Sequence, residues 1–388
     1  MAGGGNVRVV NQEIRENWAM YQGDCVEVIK GIPDNTIHYS IFSPPFSSLY
    51  TYSNSERDMG NCKDDEEFMI HFKFLISELY RVLMPGRLVS FHCMDIPAMK
   101  QKDGYIGLKD FPGELIRLFI DDESADYFNT ISRLEKRKNE AIFNGETSRA
   151  SKLINIIEDM EEEFKRYQPS GPQFIYHSRV AIWKDPLIEA TRTKALGLMH
   201  KQLVKDSAMC RQGLPDYLIT MRKPGDNPEP IEHPDGLTNF VGEDEPNAPR
   251  KEPELKGSRK NKNISMYRKD PVYSHHVWRR YASPVWMDIN QSNTLQKESA
   301  REEKDERHIC PLQLDVIERA LQLWTNPGDV VLSPFAGIGS EIYTAIKMDR
   351  KGIGIELKES YYKQAVANYK QAELENNQLT LFEWSETE

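Results

Sequence analysis

Apolar positions recur along the chain in two periods, and their alternation outlines the fold. Residues 38–42 (His-Tyr-Ser-Ile-Phe) read as a short strand that stops at Ser43-Pro44-Pro45-Phe46. Two prolines cannot continue a central ladder, so the chain leaves the sheet at that point. Phe68, Phe72, Leu75, Leu79 and Val82 then fall at helical spacing across residues 65–83. Pro85-Gly86 closes that helix, and residues 88–92 form the next strand. Strand, loop, helix and strand in this order are the grammar of a parallel α/β sheet.

Downstream the rhythm changes. Residues 121–168 hold two charged amphipathic stretches around Asn144-Gly145 and predict a helical hairpin. Strands are expected at 174–183 and 216–222, the second stopped by Lys223-Pro224-Gly225. Residues 224–263, rich in Pro, Gly, Asn and charge, read as a linker or loosely folded insertion. An aromatic and basic run follows at 273–286. The remaining pattern predicts a helix at 312–324, a strand at 330–332, a helix at 341–348, a strand at 353–356 and a helix at 359–374. No internal repeat is visible.

The chain of 388 residues suits one large catalytic domain with one or two smaller modules. No apolar run is long enough to span a bilayer, and MAGGGNVRVV lacks an apolar signal-peptide core, so an intracellular protein is expected. Cys25, Cys62, Cys93, Cys210 and Cys310 are scattered without a Cys-x-x-Cys pair, which argues against a zinc site or a disulfide framework. The net charge of −10 disfavours a general nucleic-acid binder, but its distribution is uneven. Residues 170–223 carry nine basic and four acidic side chains, and residues 250–281 carry ten and three; residues 121–168 carry eight and twelve. Two basic stretches are thus available to phosphates, although ordinary surface scatter gives the same counts.

Two motifs carry chemistry. In Val330-Val331-Leu332-Ser333-Pro334-Phe335-Ala336-Gly337-Ile338-Gly339-Ser340-Glu341, small residues follow a strand and open a helix. Glycines there permit close backbone approach, and such a turn holds a nucleotide-like ligand at the carboxyl end of a sheet or serves simply as a βα turn. Gly354-Ile355-Glu356, a strand ending in a carboxylate, strengthens the ligand reading, because a carboxylate can accept from both hydroxyls of a ribose. The second motif is Ser43-Pro44-Pro45-Phe46, a structural turn or a catalytic one. An exocyclic base amine is a poor nucleophile because its lone pair is delocalised into the ring. Ser43 Oγ and the Pro44 carbonyl would accept its N–H bonds and favour the pyramidal geometry that develops during attack. Proline holds that carbonyl in place beforehand, and Phe46 would stack on the base.

These motifs resemble those of the amino-group DNA methyltransferases, which act on adenine N6 or cytosine N4. Ser43 to Phe46 is similar to their (Asp/Asn/Ser)-Pro-Pro-(Tyr/Phe) tetrapeptide, and Phe335-Ala336-Gly337-Ile338-Gly339 to their cofactor loop. The resemblance implies S-adenosylmethionine as cofactor, held by Asp24, Phe335, Ala336, Gly337, Gly339, Ser340, Glu341 and Glu356, with Asp24 beside the adenine and Glu356 on the ribose. Tyr21-Gln22-Gly23-Asp24, the helix at 308–321 and Glu78 to Gly86 resemble further family segments. The catalytic motif precedes the cofactor motif, an order similar to the permuted beta group. The family's cofactor loop usually begins with Asp, where this chain has Ser333.

The implied fold is a Rossmann-like S-adenosylmethionine-dependent methyltransferase α/β sheet in circularly permuted order. It divides into a catalytic half (1–120), a helical-hairpin insertion (121–168), a continuation (169–223), a target-recognition region (224–305), a cofactor half (306–375) and a tail (376–388). The hairpin is either a passive surface insertion or a partner-binding element, for instance of a homodimer. The implied substrate is a base extruded from double-stranded DNA. The serine form of the tetrapeptide favours cytosine N4; adenine N6, an RNA or small-molecule substrate, and a non-catalytic DNA-binding module are the alternatives. Arg268, Lys269, Trp278, Arg279 and Arg280 are the candidate DNA contacts, in a run with Tyr267, Tyr273, His275, His276 and Tyr281 that reads equally as a small module with an aromatic core. No ligand cluster accompanies the two histidines, so no metal is expected. Gln378-Leu379-Thr380-Leu381-Phe382 resembles the peptide that bacterial sliding clamps accept; folding back onto the catalytic domain is the alternative. A cytoplasmic bacterial or phage-encoded enzyme of a restriction-modification kind is the resulting expectation.

Overall fold

The computed structural model describes residues 9–45, 65–98, 100–120, 124–165, 173–193, 196–243, 271–295 and 311–385. Phe46, Arg268, Lys269 and the start of the helix expected at 308–321 lie outside the described residues. The elements run β1 (Val9–Ile14), β2 (Trp18–Gly23), α1 (Cys25–Ile29), β3 (Ile37–Phe42), α2 (Asp65–Val82), β4 (Leu83–Cys93), β5 (Ile96–Ala98), α3 (Lys100–Asp103), β6 (Gly107–Lys109), α4 (Phe111–Ile120), α5 (Ser124–Phe143) and α6 (Thr147–Lys165). They continue with β7 (Ile175–Ile182), α7 (Pro186–Thr193), α8 (His200–Lys205), β8 (Asp216–Arg222), α9 (Pro271–Tyr281), β9 (Val285–Trp286), α10 (Leu314–Trp324), β10 (Val330–Ser333), α11 (Ser340–Lys347), β11 (Lys351–Glu356) and α12 (Glu359–Ser385).

The central sheet has nine strands in the order β1-β2-β11-β10-β3-β4-β8-β7-β9. Strands β2, β11, β10, β3 and β4 are parallel. Two strands break that direction: β1 is antiparallel to β2, and β8 is antiparallel to both β4 and β7, so β7 and β9 run with the central set again. The sheet is therefore mixed rather than wholly parallel. Hydrophobic periodicity places a strand but carries no information on its direction, which the connections set.

Alternate side chains of each strand feed two cores. One packs α2 and α4 on one face, through Phe68, Phe72, Leu75, Leu79, Phe111, Leu115 and Phe119. The other packs α10, α11 and α12 on the opposite face, through Val316, Ile317, Leu321, Ile342, Ala345, Ala365 and Tyr369. Phe42, Phe91, Leu332 and Ile355 point to the first core, and Tyr39, Ile41 and Val331 to the second, as the two-residue period of a strand requires. Burial on both faces explains why these strands read as apolar runs.

The helix at 65–82 passes directly into β4, and Pro85-Gly86 lies within that strand's amino end rather than between two elements. Gly86 takes a positive φ of 72°, and a Cβ there would meet the Asn227 backbone nitrogen at 2.6 Å. Helices α5 and α6 flank Asn144-Gly145, with Gly145 at φ 70° making the turn. Helix α12 runs to Ser385, beyond the end expected near 374, so the backbone of residues 378–382 is helical. None of the described helices is long and apolar enough to cross a membrane.

Candidate active site

The carboxyl ends of β2, β11, β10, β3 and β4 lie side by side, and each delivers one of the chemistry-bearing segments. Leu332 of β10 pairs with Ser40 of β3, and Ser40 Oγ donates to the Leu332 carbonyl at 3.0 Å. Ser43-Pro44-Pro45 therefore emerges beside the glycine turn that follows β10. The Phe42 and Phe335 rings pack 5.7 Å apart across that junction. On the other side Ser333 pairs with Gly354 and Glu356 with Gln22, which brings Glu356 next to the end of β2 and hence to Asp24.

The turn at 334–339 is built for close approach. Gly337 and Gly339 have φ of 53° and 92°, a region that L side chains rarely adopt. A Cβ on Gly339 would collide with the Tyr369 ring, and one on Gly354 would meet Tyr369 Oη at 2.6 Å and Met20 Sδ at 2.7 Å. Glu356 Oε2 accepts from the Gly337 amide at 2.9 Å, and Oε1 from the Lys358 amide at 2.8 Å. Asp24 caps α1 by accepting from the Glu27 amide at 3.1 Å.

The electrostatics are those of a crowded acidic pocket. Glu341 is buried, and that burial, with the Glu356 charge adding to it, pushes its carboxyl up to about 8. Burial and then the neighbouring Asp24 hold the Cys25 thiol far above its usual range, with Glu356 contributing. Tyr369 is raised by burial and by the same two glutamates. Ser333 Oγ, Ser340 Oγ and Tyr369 Oη are buried and have no hydrogen-bond partner among the described residues. Buried polar atoms without a protein partner mark a place where a ligand or water completes the bonding. Glycines held open for close approach, two carboxylates at adjacent strand ends and orphaned hydroxyls form a donor and acceptor set that fits an adenosine-bearing cofactor.

Behind Ser43 lies a polar array that sequence reading missed. Ser43 Oγ is 3.2 Å from His92 Nδ1, and His92 Nε2 is 3.0 Å from Asp216 Oδ2. The second contact is close but off the N–H direction, so it is coulombic rather than an aligned hydrogen bond. Lys184 Nζ reaches the same Asp216 oxygen. Burial alone would raise the Asp216 carboxyl, but His92 and Lys184 outweigh it and hold it below the usual range. Each residue stands at a strand end: His92 near the end of β4, Asp216 at the start of β8, and Lys184 just past β7. A polar residue at the end of an otherwise apolar strand was the available signal.

The candidate DNA contacts are divided. Trp278 and Arg279 are exposed on α9. Arg280 faces Asp288 at 3.6 Å. Tyr273 and Tyr281 instead pack with Leu237, Phe240, Val277 and Leu323, so part of the aromatic run is a core. Arg319 of α10 secures that core: it lies within 4.8–5.3 Å of the Tyr281, Trp286 and Phe240 rings and 2.8 Å from Asp288. Among the described residues one group, His38, Glu229 and Asp329, has the ligand types of a metal site. The Arg87 guanidinium, 3.0 Å from Asp329 and 3.9 Å from Glu229, already supplies the positive charge there.

With this geometry in view, comparison with known proteins identifies the class. The DNA methylase family of N6 and N4 enzymes matches residues 37–367. The chain belongs to that family, whose members depend on S-adenosylmethionine. It is 40% identical over 58 residues to the type II methyltransferase M1.MboII of Moraxella bovis, covering 15% of this chain and 22% of that protein. It is 28% identical over 107 residues to the type II methyltransferase M.MjaI of Methanocaldococcus jannaschii, covering 26% and 33%. The matches thus span between a fifth and a third of the length of these curated relatives. Among solved structures, a protein of Thermus thermophilus, TTHA0409, assigned as a DNA modification methylase and crystallised with S-adenosyl-L-methionine, superposes with a TM-score of 0.50 at 17% identity. That superposition covers 91% of this chain and 93% of that one. The mixed α/β sheet is therefore the fold of S-adenosylmethionine-dependent methyltransferases.

Proposed function

We propose that the protein transfers a methyl group from S-adenosylmethionine to the exocyclic N4 amine of a cytosine extruded from double-stranded DNA. The observation that carries this reading is the emergence of Ser43-Pro44-Pro45 from β3 directly beside the glycine turn of β10. The acceptors for an amine and the cradle for a methyl donor thus adjoin. When bound, S-adenosylmethionine supplies a sulfonium methyl whose carbon–sulfur electrons leave on sulfur.

The chain's own residues do the rest. Glu356 and Asp24 would take the ribose and adenine, and Phe335, Ala336, Gly337, Gly339, Ser340 and Glu341 would complete the cofactor site. Ser43 Oγ and the Pro44 carbonyl accept the amine N–H bonds, so that lone-pair density leaves the ring and is aimed at the methyl. Fixed acceptors need no reorganisation when charge develops, and in-line placement removes the entropic part of the barrier. Phe46 stacks on the extruded base. Trp278, Arg279 and Arg280, with Arg268 and Lys269, contact the duplex.

Serine rather than aspartate at position 43 favours cytosine, by resemblance to the N4 members of the family. Nucleoside mass spectrometry of DNA incubated with the protein and S-adenosylmethionine tests the assignment. N4-methylcytosine supports it, N6-methyladenine moves the target to adenine, and no methylated base in duplexes of varied sequence rejects it. As a partner we infer a bacterial sliding clamp, on the pentapeptide at 378–382 alone; loss of co-elution on deleting residues 378–388 is the expected result.

A further inference from the structure

The Ser43–His92–Asp216 array points to a role that the tetrapeptide alone does not supply. We propose that His92 is a positioning residue that turns the Ser43 hydroxyl so that its oxygen faces the substrate amine, and that it takes up the proton which the methylated amine must lose. This inference rests on the proposed function, since it concerns the same Ser43.

Asp216 sets the state of the array. Its side chain is 3% exposed and ionised, with His92 on one side and Lys184 on the other. A buried carboxylate 3.0 Å from Nε2 favours the tautomer with its proton on that nitrogen. Nδ1 then carries the lone pair, and it is the atom that faces Ser43 Oγ at 3.2 Å. Ser43 must therefore donate to Nδ1, which leaves only lone pairs for the amine. A freely turning serine would present its own O–H to the amine for part of the time and oppose N–H acceptance.

The proton count closes on the same atoms. The amine nitrogen forms a bond to the methyl carbon as the carbon–sulfur bond breaks and its electron pair stays on sulfur. The nitrogen, now bearing one substituent too many, gives a proton to Ser43 Oγ while the Ser43 proton passes to Nδ1. The resulting imidazolium is stabilised by the Asp216 carboxylate and later returns its proton to water. His92 is 9% exposed, so the charge is offset by a fixed partner rather than by solvent.

The charged neighbourhood is defined. Asp216 belongs to β8 and Lys184 follows β7, both on the Nε2 side. Cys93 adjoins His92 on β4; Asp216, Asp95, Asp110 and Arg179 all act on its thiol, which burial raises first. Tyr217, held under the Arg179 guanidinium at 5.0 Å, stands beside the same groups. Asp95 is raised by burial and then by Asp110, with the Arg179 charge opposing them.

The experiment measures single-turnover methylation of duplex DNA against pH in wild type, His92→Gln and Asp216→Asn. Binding of S-adenosylmethionine by calorimetry and the nitrogen shifts of His92 are read alongside. His92→Gln should lose about 10²-fold in rate, show a flatter pH profile than wild type, and bind S-adenosylmethionine as before. Asp216→Asn should also slow the reaction and change that profile, because the ring loses its charged partner. The shifts in wild type should show a protonated Nε2 and a bare Nδ1. A proton on Nδ1 overturns the proposal without any variant, and so does a His92→Gln rate within about threefold of wild type. Absence of any methylation by wild type would instead remove the proposed function, an outcome separable from both.

Discussion

At the amino ends of the parallel strands the Arg87 guanidinium, 1% exposed, donates to Asp329 at 3.0 Å and to the Glu229 carbonyl at 2.9 Å. His38 completes the group by accepting from the Val330 amide at 3.1 Å and approaching Glu229 at 3.2 Å. Nearby, Lys223 Nζ donates to Asn35 and to the Leu83 carbonyl, both at 2.7 Å. At the carboxyl ends of the same strands the polar groups are as deeply buried but differently served. Glu341 and Tyr369 have acidic neighbours, and the hydroxyls of Ser333, Ser340 and Tyr369 have no partner among the described residues. One end ties the chain from β8 onward to the sheet; the other gathers the residues of the proposed cofactor site. Burial and polarity are common to both; what differs is that the charged groups of the first end are paired with opposite charges, whereas the hydroxyls of the second lack protein partners, as does Arg87 Nε at the first end.

Substitutions at the two ends should fail differently. Arg87→Met leaves two carboxylates facing each other and should cost about 3–5 kcal/mol of stability by urea denaturation. The cofactor affinity of the fraction that folds should be unchanged; a loss of affinity with little loss of stability would collapse the contrast. Ser43→Ala should do the reverse, lowering turnover about 10²-fold with unchanged melting and S-adenosylmethionine binding. Equal loss of rate and cofactor binding would make Ser43 a structural residue.

Glu341 sharpens the comparison through pH. Its folded carboxyl stands at about 8 against the ordinary 4.5. A raised carboxyl stabilises the fold fully below its unfolded value, and that contribution is lost as pH rises from there through the folded value. Between about pH 5 and about pH 8 wild type should therefore lose on the order of one to a few kcal/mol. Glu341→Gln should show a flatter profile in urea titrations at those two pH values; an unchanged slope would assign the buried proton elsewhere. The smallest expected effect is that of Trp278→Ala with Arg279→Ala. Both side chains are exposed, so stability should stay within about 0.5 kcal/mol while affinity for duplex DNA falls and its salt dependence weakens.

Much of this was legible in the sequence where local chemistry dictates local structure. The strands expected at 38–42, 330–332 and 353–356, stopped by prolines, a glycine turn or a carboxylate, lie within β3, β10 and β11, which extend them by one or two residues. The pair of helices around Asn144-Gly145 was likewise set by amphipathic spacing and a turn residue. Periodicity did not reveal the reversed direction of β8, because either direction buries the same faces. It also missed the His92–Asp216 contact, which exists only because β8 lies antiparallel to β4 with Tyr217 opposite Cys93. In the aromatic run at 273–281, Trp278 stayed outside and Tyr281 went inside; the choice was made by Arg319, Gln322 and Leu323 on α10, far away in sequence.

The central claim is methyl transfer to a base amine at Ser43. The most direct measurement supplies S-adenosylmethionine with a trideuterated methyl group to wild type and to Ser43→Ala, then follows the labelled nucleoside by mass spectrometry after complete digestion of the DNA. Labelled N4-methylcytosine is expected from wild type and its near-complete loss in Ser43→Ala, with cofactor binding intact in both. Undiminished labelling by Ser43→Ala, or label on a ring carbon instead of an exocyclic amine, would contradict the claim.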